Sequence, residues 1–462
     1  MMTSPAIECT IAIVGGGFSG TLTAINTVRA DCSGRIRIVV IDGSRRVCRG
    51  LAYRHDDDNF VLNVPAGNMS ALVEEPDDFV AFCQGVDPSL NAKSFVSRRL
   101  YGEYLEHLLK QTMERSPGAI SIINAQARSL VCMHGGRYQL ILDGATEVIA
   151  ERVVLAVGHF AAKLPSPLSE GAAEHVIDAF DFAAIDALGK ARPVAILGMG
   201  HTAIDAVFRL TSCNQQRQIY MISRRGLLPH GHRFEPRPPR AGGFPVWLAA
   251  VPPTVRACMS ALRKEVRTRE AEGGNWRDVL NELRPYTASL WRRFEPSERR
   301  KFLLRVLPYW DVHRHRLSPA SERRLRRLIE SGQVVTTAGR VVNVEATDKG
   351  LRLELAPKGQ EGTCWLDVGG LINGSGPNYD VTSVDHLIIR NLVRDGLIKQ
   401  DSQKIGLEVD EHYRLIGTRG QALEGLHYIG PMLKANYWEA IAVPELRMHA
   451  QALGCWLAEQ YQ

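Results

Sequence analysis

Nowhere does the chain hold an uninterrupted apolar run near the roughly 20 residues that cross a bilayer. That absence argues against a helical membrane span. Met1–Ile11 has no basic segment followed by an apolar one, so no secretory signal is expected and the expected compartment is the cytoplasm. Cysteine is sparse and shows no pairing pattern: nine residues, an odd number, with no CxxC spacing. This excludes a small disulfide scaffold, and no metal site is expected. Core material is not lacking. Of 462 residues, 45% are hydrophobic and 23% charged, which excludes a disordered tail or a collagen-like fibre. The length implies roughly three lobes.

The net charge of +6 is unevenly spread: Arg224 to Arg327 holds 24 Lys+Arg against 10 Asp+Glu. The remainder of the chain is therefore acidic. A basic middle can serve nucleic acid, a phosphorylated cofactor or an acidic substrate, or simply be a set of solvated Arg-rich helices. No helix-turn-helix and no aromatic–basic interleaving accompanies it, so nucleic acid is not expected.

Cys9 to Val14 reads as a strand that runs into Gly15-Gly16-Gly17-Phe18-Ser19-Gly20, and Thr21 to Arg29 reads as a helix. A second strand, Ile36 to Ile41, ends at Asp42. Gly15 permits the tight turn, Gly17 lets backbone approach a pyrophosphate, and Gly20 lets the helix pack on the strand. The helix start offers free N–H groups to phosphate, and Asp42 is spaced to accept from ribose hydroxyls. An acid there suits FAD.

The pattern recurs. Pro193 to Leu197 reads as a strand, followed by Gly198-Met199-Gly200-His201-Thr202-Ala203, with Ala in the third glycine place. The next strand, Gln218 to Ile222, closes with Ser223-Arg224-Arg225 instead of an acid. Arginines there bind a 2′-phosphate with forked, charge-assisted hydrogen bonds, so the second site is assigned to NADPH. A chain holding both cofactors is placed to pass hydride from nicotinamide to flavin.

Glu151 to Gly158 and Asp367 to Gly374 share a layout of acid, three residues, Leu, two residues, Gly. Gly158 is assigned to the FAD site. These strands flank the second fingerprint, so the expected fold is α/β. It has two Rossmann-like domains, the NADPH domain being inserted into a discontinuous FAD domain. The expected partition is 1–165 for the first part of the FAD domain, 190–365 for the NADPH domain, and 366–462 for the second part. A basic, mainly helical insert occupies about 229–319. Within it, Pro236 to Pro253 reads as irregular, and Arg256 to Arg269, Trp276 to Leu283 and Ser297 to Leu307 read as helices. Trp276, Trp291, Tyr309 and Trp310 are expected to form the core of this cap.

Further stretches carry a family resemblance. They are Gly50-Leu51-Ala52-Tyr53, Leu62 to Ser70, Tyr101-Gly102-Glu103-Tyr104, Trp310 to Arg316, Gly430-Pro431, Trp438-Glu439 and Val443 to Arg447. With the fingerprints, they resemble the two-dinucleotide-binding-domain flavoproteins, in particular a bacterial FAD/NAD(P)-binding group related to flavin-dependent N-hydroxylating monooxygenases. The pyridine-nucleotide disulfide reductases carry two redox cysteines after the ribose acid; here only Cys48 stands there. The Phe-x-Gly-x-x-x-His fingerprint of Baeyer–Villiger enzymes is absent, although His159 follows Gly158. The Asp367 segment is similar to the D-x-x-x-L-A-T-G motif of the N-hydroxylating enzymes, with Ile372-Asn373 replacing Ala-Thr.

The resemblance implies an FAD- and NADPH-dependent monooxygenase. It would form a peroxyflavin with dioxygen and hydroxylate a small amine, amino acid or aromatic metabolite. The alternative is a reductase passing electrons to a quinone or carrier protein; a remote alternative is a binding module acting through the basic insert. By the same resemblance, Asn63 makes a polar contact near the flavin ring, its competing reading being a turn cap beside Pro65. Backbone near Gly430 approaches the ribityl chain or pyrimidine edge. His313-Arg314-His315-Arg316 either meets an anion or knits the insert to the rest of the chain.

Overall fold

A computed structural model describes residues 7–44, 46–189, 192–213, 216–233 and 243–462. Two sheets organise them. In the first, Ile7–Val14 lies between Glu147–Leu155 and Ile38–Ile41, all parallel, with Ala422–Tyr428 and Ile120–Ile123 continuing the parallel order on either side. The central stretches Ile11–Val14, Ile38–Ile41 and Val153–Leu155 are continuous apolar runs because both faces of the sheet are covered there, as parallel sheets require. A meander of Ala127–Cys132 and Tyr138–Leu142 feeds antiparallel into Glu147–Leu155. In the second sheet, Val194–Leu197 lies between Gly370–Asn373 and Ile219–Ser223, with Val176–Asp178 and Val334–Thr347 outside them, again parallel. Gly350–Pro357 and Cys364–Val368 extend it antiparallel.

The chain leaves the first sheet after Leu155, builds the second, and returns with Arg414–Ile416 and Ala422–Tyr428. The second lobe is thus inserted into a discontinuous first lobe. Its sheet reaches beyond the expected 190–365, because Val176–Asp178 and Gly370–Asn373 both pair in it. Strands of three and four residues carry too little local pattern to reveal which sheet they join.

Closure of the first lobe falls to Val443–Glu459, a helix packed on Phe18–Ala30. A Cβ on Gly454 would stand 2.7 Å from the Asn26 Cβ, so glycine permits this crossing. Between the lobes, Arg98 pairs with Asp205 at 2.7 Å and Arg209 with Asp57 at 2.7 Å.

The insert is helical, with differences in detail. Helices cover Val255–Ala271 and Trp276–Leu283. The expected helix Ser297 to Leu307 is instead Pro296–Lys301, a π-helical turn Phe302–Val306, and a further helix Leu307–Arg314. Pro308 explains the turn: it has no N–H for the carbonyl of Leu304, and its ring crowds that carbonyl. Arg225 Nη2 donates to the Leu304 carbonyl instead, at 3.0 Å. Trp291 is buried in an aromatic cluster with Phe294 and Trp438, joined by Trp310. Tyr309 departs from the expected core: it is 47% exposed, being one residue, and so about 100° of helix, away from Trp310. The expected irregular segment Pro236 to Pro253 falls partly on residues 234–242, outside the described residues; within the rest, Val246–Ala249 is a short helix. Among the described residues, no helix is long and apolar enough to cross a membrane.

Candidate functional site

Both glycine turns have the same construction. Gly15 has φ +107°, and a Cβ there would lie 2.3 Å from the Ala156 carbonyl oxygen. Gly198 has φ +103°, and a Cβ there would lie 2.3 Å from the Gly374 carbonyl oxygen. The third positions differ reciprocally. A Cβ on Gly20 would strike the Gly15 carbonyl oxygen at 2.0 Å and meet the Ala156 Cβ at 3.1 Å, whereas in the second lobe Ala203 stands at the third position and glycine faces it, at Gly374. One methyl fits at each contact, from either side.

This geometry corrects the alignment of the two acid-Leu-Gly segments. Strand register matches Val14 with Leu155 and Leu197 with Asn373. The structural counterpart of Gly374 is therefore Ala156, two positions before Gly158. A shift of two keeps every side chain on its original face, so the sequence pattern tolerates it. Asp367 is remote from the turns, paired at the surface with Arg352 at 2.7 Å.

In the first lobe, Asp42 clasps the glycine turn: its two carboxylate oxygens accept from Gly16 N and Ser44 N, each at 2.6 Å. Gly17 faces Gly50, whose Cα would lie 3.4 Å from an added Cβ. Phe18 and Ser19 begin the helix, with Phe18 against Tyr101 and Ser19 buried. Gly158 has φ +72° and precedes His159. Gly430, φ +138°, follows the strand Ala422–Tyr428 and opens the five-residue 3-10 turn Pro431–Ala435, not a long helix. Ile429 N donates to the Leu155 carbonyl at 2.9 Å, which brings this turn to the carboxyl end of the first sheet.

Two cavities lie at these carboxyl ends, where ligands of open α/β sheets bind. The larger, about 1010 Å³, is lined by Ser44 and Arg46 beyond Asp42, by His159 and Phe160 beyond Gly158, and by Arg54 and Phe182. The Gly15–Gly20 turn itself is not in its wall. The second, about 550 Å³, gathers Gly198, Gly200, His201, Thr202, Arg224 and Arg225 on one side and Asn63 on another. Ala203 is fully buried behind them. The two cavities share Thr202, Gly376, Pro377, Tyr379 and Ile441.

Around this shared wall stand charges that sequence reasoning did not bring together. Asp311, His315, Tyr379 and Lys434 all line the second cavity. Burial pushes the Asp311 carboxyl up to about 6 and the Lys434 ammonium down. The ammonium of Lys434 lies 4.5 Å from the Trp438 ring centre and 5.4 Å from that of Tyr379. His159 is held down to about 4 by burial, and its Nδ1, in the first cavity wall, is buried without a partner among the described residues. His201 is also held down to about 4 by burial; its Nε2 lies 3.1 Å from the Arg316 carbonyl.

Within the His313–Arg316 run, Arg314 takes the knitting role. Arg314, 8% exposed, pairs at 2.9 Å with Glu439, 3% exposed. Arg284 makes a forked pair with Glu445 at 2.7 and 2.9 Å. These contacts knit the cap to the C-terminal segment, and they explain why Trp310–Arg316 and Trp438–Glu439 are both marked stretches. His315 instead faces the second cavity. The backbone carbonyl of Asn63 faces the His232 ring, with Nε2 2.9 Å away. Much of the basic segment is spent internally, for example Arg233 on Asp278 at 2.7 Å and Arg269 on Glu282 at 2.9 Å.

Sequence reasoning missed Tyr379, Lys434 and Ile441. A local signal existed only for Tyr379, which follows the Gly374–Gly376 run. The residues fit two dinucleotides: glycine turns where a Cβ would strike backbone, an acid clasp in one lobe, paired arginines in the other, and an orphaned imidazole nitrogen at the wall.

The fold and site define a two-lobe, double dinucleotide-binding α/β architecture. The FAD-NAD(P)-binding family model matches residues 12–160, the first part of the first lobe. No curated protein matches. Among solved structures, ornithine hydroxylase from Pseudomonas aeruginosa is 16% identical with a TM-score of 0.68, over 99% of this chain and 100% of that one. L-lysine 6-monooxygenase from Pseudomonas syringae is 15% identical with a TM-score of 0.67, over 98% and 100%. The FAD-bound cadaverine monooxygenase of desferrioxamine biosynthesis from Erwinia amylovora is 12% identical with a TM-score of 0.64, over 97% and 94%. At such identities the likeness is one of fold.

Proposed function

We propose that this protein is an FAD- and NADPH-dependent monooxygenase acting on a small amine, amino acid or aromatic metabolite. The observation that carries the reading is the wall shared by the two cavities at Thr202, Gly376, Pro377, Tyr379 and Ile441. Ligands in adjoining cavities can meet there, and hydride transfer needs such contact. Bound flavin supplies the hydride acceptor and the centre that activates dioxygen. For an amine the balance is R–NH₂ + O₂ + NADPH + H⁺ giving R–NHOH + H₂O + NADP⁺.

In this reading the chain binds, orients and shields. The Gly15–Gly20 turn, Asp42, Gly158 and Gly430 hold FAD. Gly198, Gly200, His201, Thr202 and Ala203 build the pyrophosphate turn for NADPH, and Arg224 and Arg225 take the 2′-phosphate. Asn63 offers a polar contact to the reacting region. The cap contributes Leu307, Pro308, Asp311, Val312 and His315 to one wall of the second cavity. Burial pushes the Cys48 thiol up to about 12, which disfavours the thiolate that a disulfide relay would need.

The test is reconstitution with FAD, followed by parallel measurement of NADPH oxidation, oxygen uptake, peroxide and hydroxylated product over a panel of amines, amino acids and aromatic acids. Product formed one-to-one with NADPH for one class is the expected result. Rapid NADPH oxidation with electrons delivered only to quinones or a carrier protein, and no hydroxylated product, would favour the reductase. Failure to bind FAD would remove both readings.

A further inference from the structure

The two arginines that follow the strand Ile219–Ser223 are not equivalent, although both line the second cavity. Arg224 is exposed and makes no hydrogen bond or ion pair among the described residues. Arg225 is half-buried, and its Nη2 donates to the Leu304 carbonyl of the cap at 3.0 Å. Its remaining N–H groups have no partner among the described residues. A guanidinium carries five N–H donors in a rigid fork, so the rest stay available to a second acceptor.

The two ends of the Arg225–Leu304 contact are held unequally. Behind Arg225 the backbone is fixed: Gly226 N donates to Ser223 Oγ at 3.1 Å, and a Cβ on Gly226 would stand 2.9 Å from the Ala338 Cβ of the neighbouring strand. Leu304 lies in the π-helical turn Phe302–Val306, none of whose residues is buried, so this end is less restrained by packing. Pro308 denies the Leu304 carbonyl the N–H that a regular helix would supply. The Leu307 N–H donates to the Phe302 carbonyl, five residues back. Such turns are frequent at functional sites. This one leads directly into the helix Leu307–Arg314, which brings Asp311 to the cavity. Whatever fixes the Arg225 side chain therefore acts on the π-helical turn and on the cavity wall that follows it.

We propose that Arg225 is a positioning residue that makes the cap answer to a 2′-phosphate, while Arg224 contributes affinity alone. A phosphate on the free N–H groups of Arg225 orders this long side chain through charge-assisted hydrogen bonds, so the contact of Nη2 with Leu304 loses no further rotamer freedom and persists. The π-helical turn and Asp311 are then held while the phosphorylated cofactor is bound. By reciprocity, a held cap strengthens phosphate binding. A dinucleotide without the 2′-phosphate fills the glycine turn and leaves the cap as it was. The inference rests on the NADPH reading of the second cavity and gives the phosphate a second consequence, order at the cavity wall as well as affinity.

The test uses the full chain with FAD present. NADP⁺ and NAD⁺ are titrated for their Kd values, and hydrogen exchange in peptides covering 302–314 is then followed by mass spectrometry with each at saturation. NADP⁺ should slow exchange there by about 3- to 10-fold more than NAD⁺ does, the worth of a single hydrogen bond. Arg225→Ala should abolish that difference even at saturating NADP⁺. Arg224→Ala should weaken NADP⁺ binding yet keep the difference once saturated. Pro308→Ala, which gives the Leu304 carbonyl a donor within the helix, should retain NADP⁺ binding and lose the difference; it provides the same reading should Arg225→Ala fail to fold. Equal exchange with NADP⁺ and NAD⁺ in the wild type would overturn the proposal, while a tighter Kd for NADP⁺ would leave the cofactor reading intact. A difference that survives Arg225→Ala would also overturn it. Equal Kd values for the two dinucleotides, unmoved by either arginine variant, would overturn the cofactor reading and the proposal with it.

Discussion

Gly374→Ala tests the reciprocal construction of the two glycine turns. The new methyl would stand 3.0 Å from both the Cα and the Cβ of Ala203, where carbon atoms ordinarily keep about 3.5–4.0 Å apart. The helix His201–Cys213 must move outward or the strand end must give, and overpacking of this kind costs about 2 kcal/mol. Ala203→Gly alone loses a buried methyl and helix propensity, about 1 kcal/mol. Independent effects would sum to about 3 kcal/mol. The double variant is predicted to lose only about 2 kcal/mol, because removing the Ala203 methyl relieves about half of the overpacking, while the Ala203 Cα at 3.0 Å and the Leu197 carbonyl oxygen at 3.1 Å stay close to the new methyl. It would recreate the first-lobe arrangement, where Gly20 stands opposite Ala156. Urea unfolding of all four proteins, followed by far-UV circular dichroism, measures the cycle. NADP⁺ affinity supplies an independent reading, since the turn Gly198–Thr202 rides on the same helix. It should fall in Gly374→Ala and partly recover in the double variant. A double loss equal to the sum of the single losses, within about 0.4 kcal/mol, would refute the argument.

Replacing Arg224 and Arg225 together by Ala should raise the Kd for NADPH by about 10- to 100-fold while leaving NADH nearly unchanged, as titration would show. Of the two, Arg225→Ala should also increase hydrogen exchange in the π-helical turn, because it frees the Leu304 carbonyl. Glu439→Gln leaves Arg314 buried beside a neutral partner and should destabilise the protein by about 3–5 kcal/mol, with Glu445, 3.8 Å from Arg314, limiting the loss. The Asp311 carboxyl, raised to about 6, binds a proton in the folded chain that the unfolded chain has already released. Stability should therefore decline as pH rises from about 4 to 6. Asp311→Asn should gain on the wild type across that interval; unchanged relative melting temperatures would count against the assignment.

Both nucleotide turns were legible in sequence because a strand, a glycine turn and a helix start are neighbours along the chain. Their demands, a positive φ at Gly15 and Gly198 and close helix packing at Gly20, are met by residue type within a few positions. The choice between Asp42 and Arg224-Arg225 at the end of the second strand was legible for the same reason. Insertion of one lobe in the other was read from the two strands ending at Gly158 and Gly374 that flank the second fingerprint, although the second of them pairs inside the inserted lobe.

The tertiary structure alone decided the rest. The two-residue offset between the segments ending at Gly158 and Gly374 depends on strand register, which alternation of side chains fixes only to within an even number of residues. That Gly370–Asn373 joins the second sheet depends on its partners, not on its four residues. Asp311, Tyr379 and Lys434 meet at one wall although 55 or more positions separate each from the next. Arg314 finds Glu439 across 125 positions. Sequence records what each residue can do; contacts over such separations arise only when packed layers exclude every other arrangement.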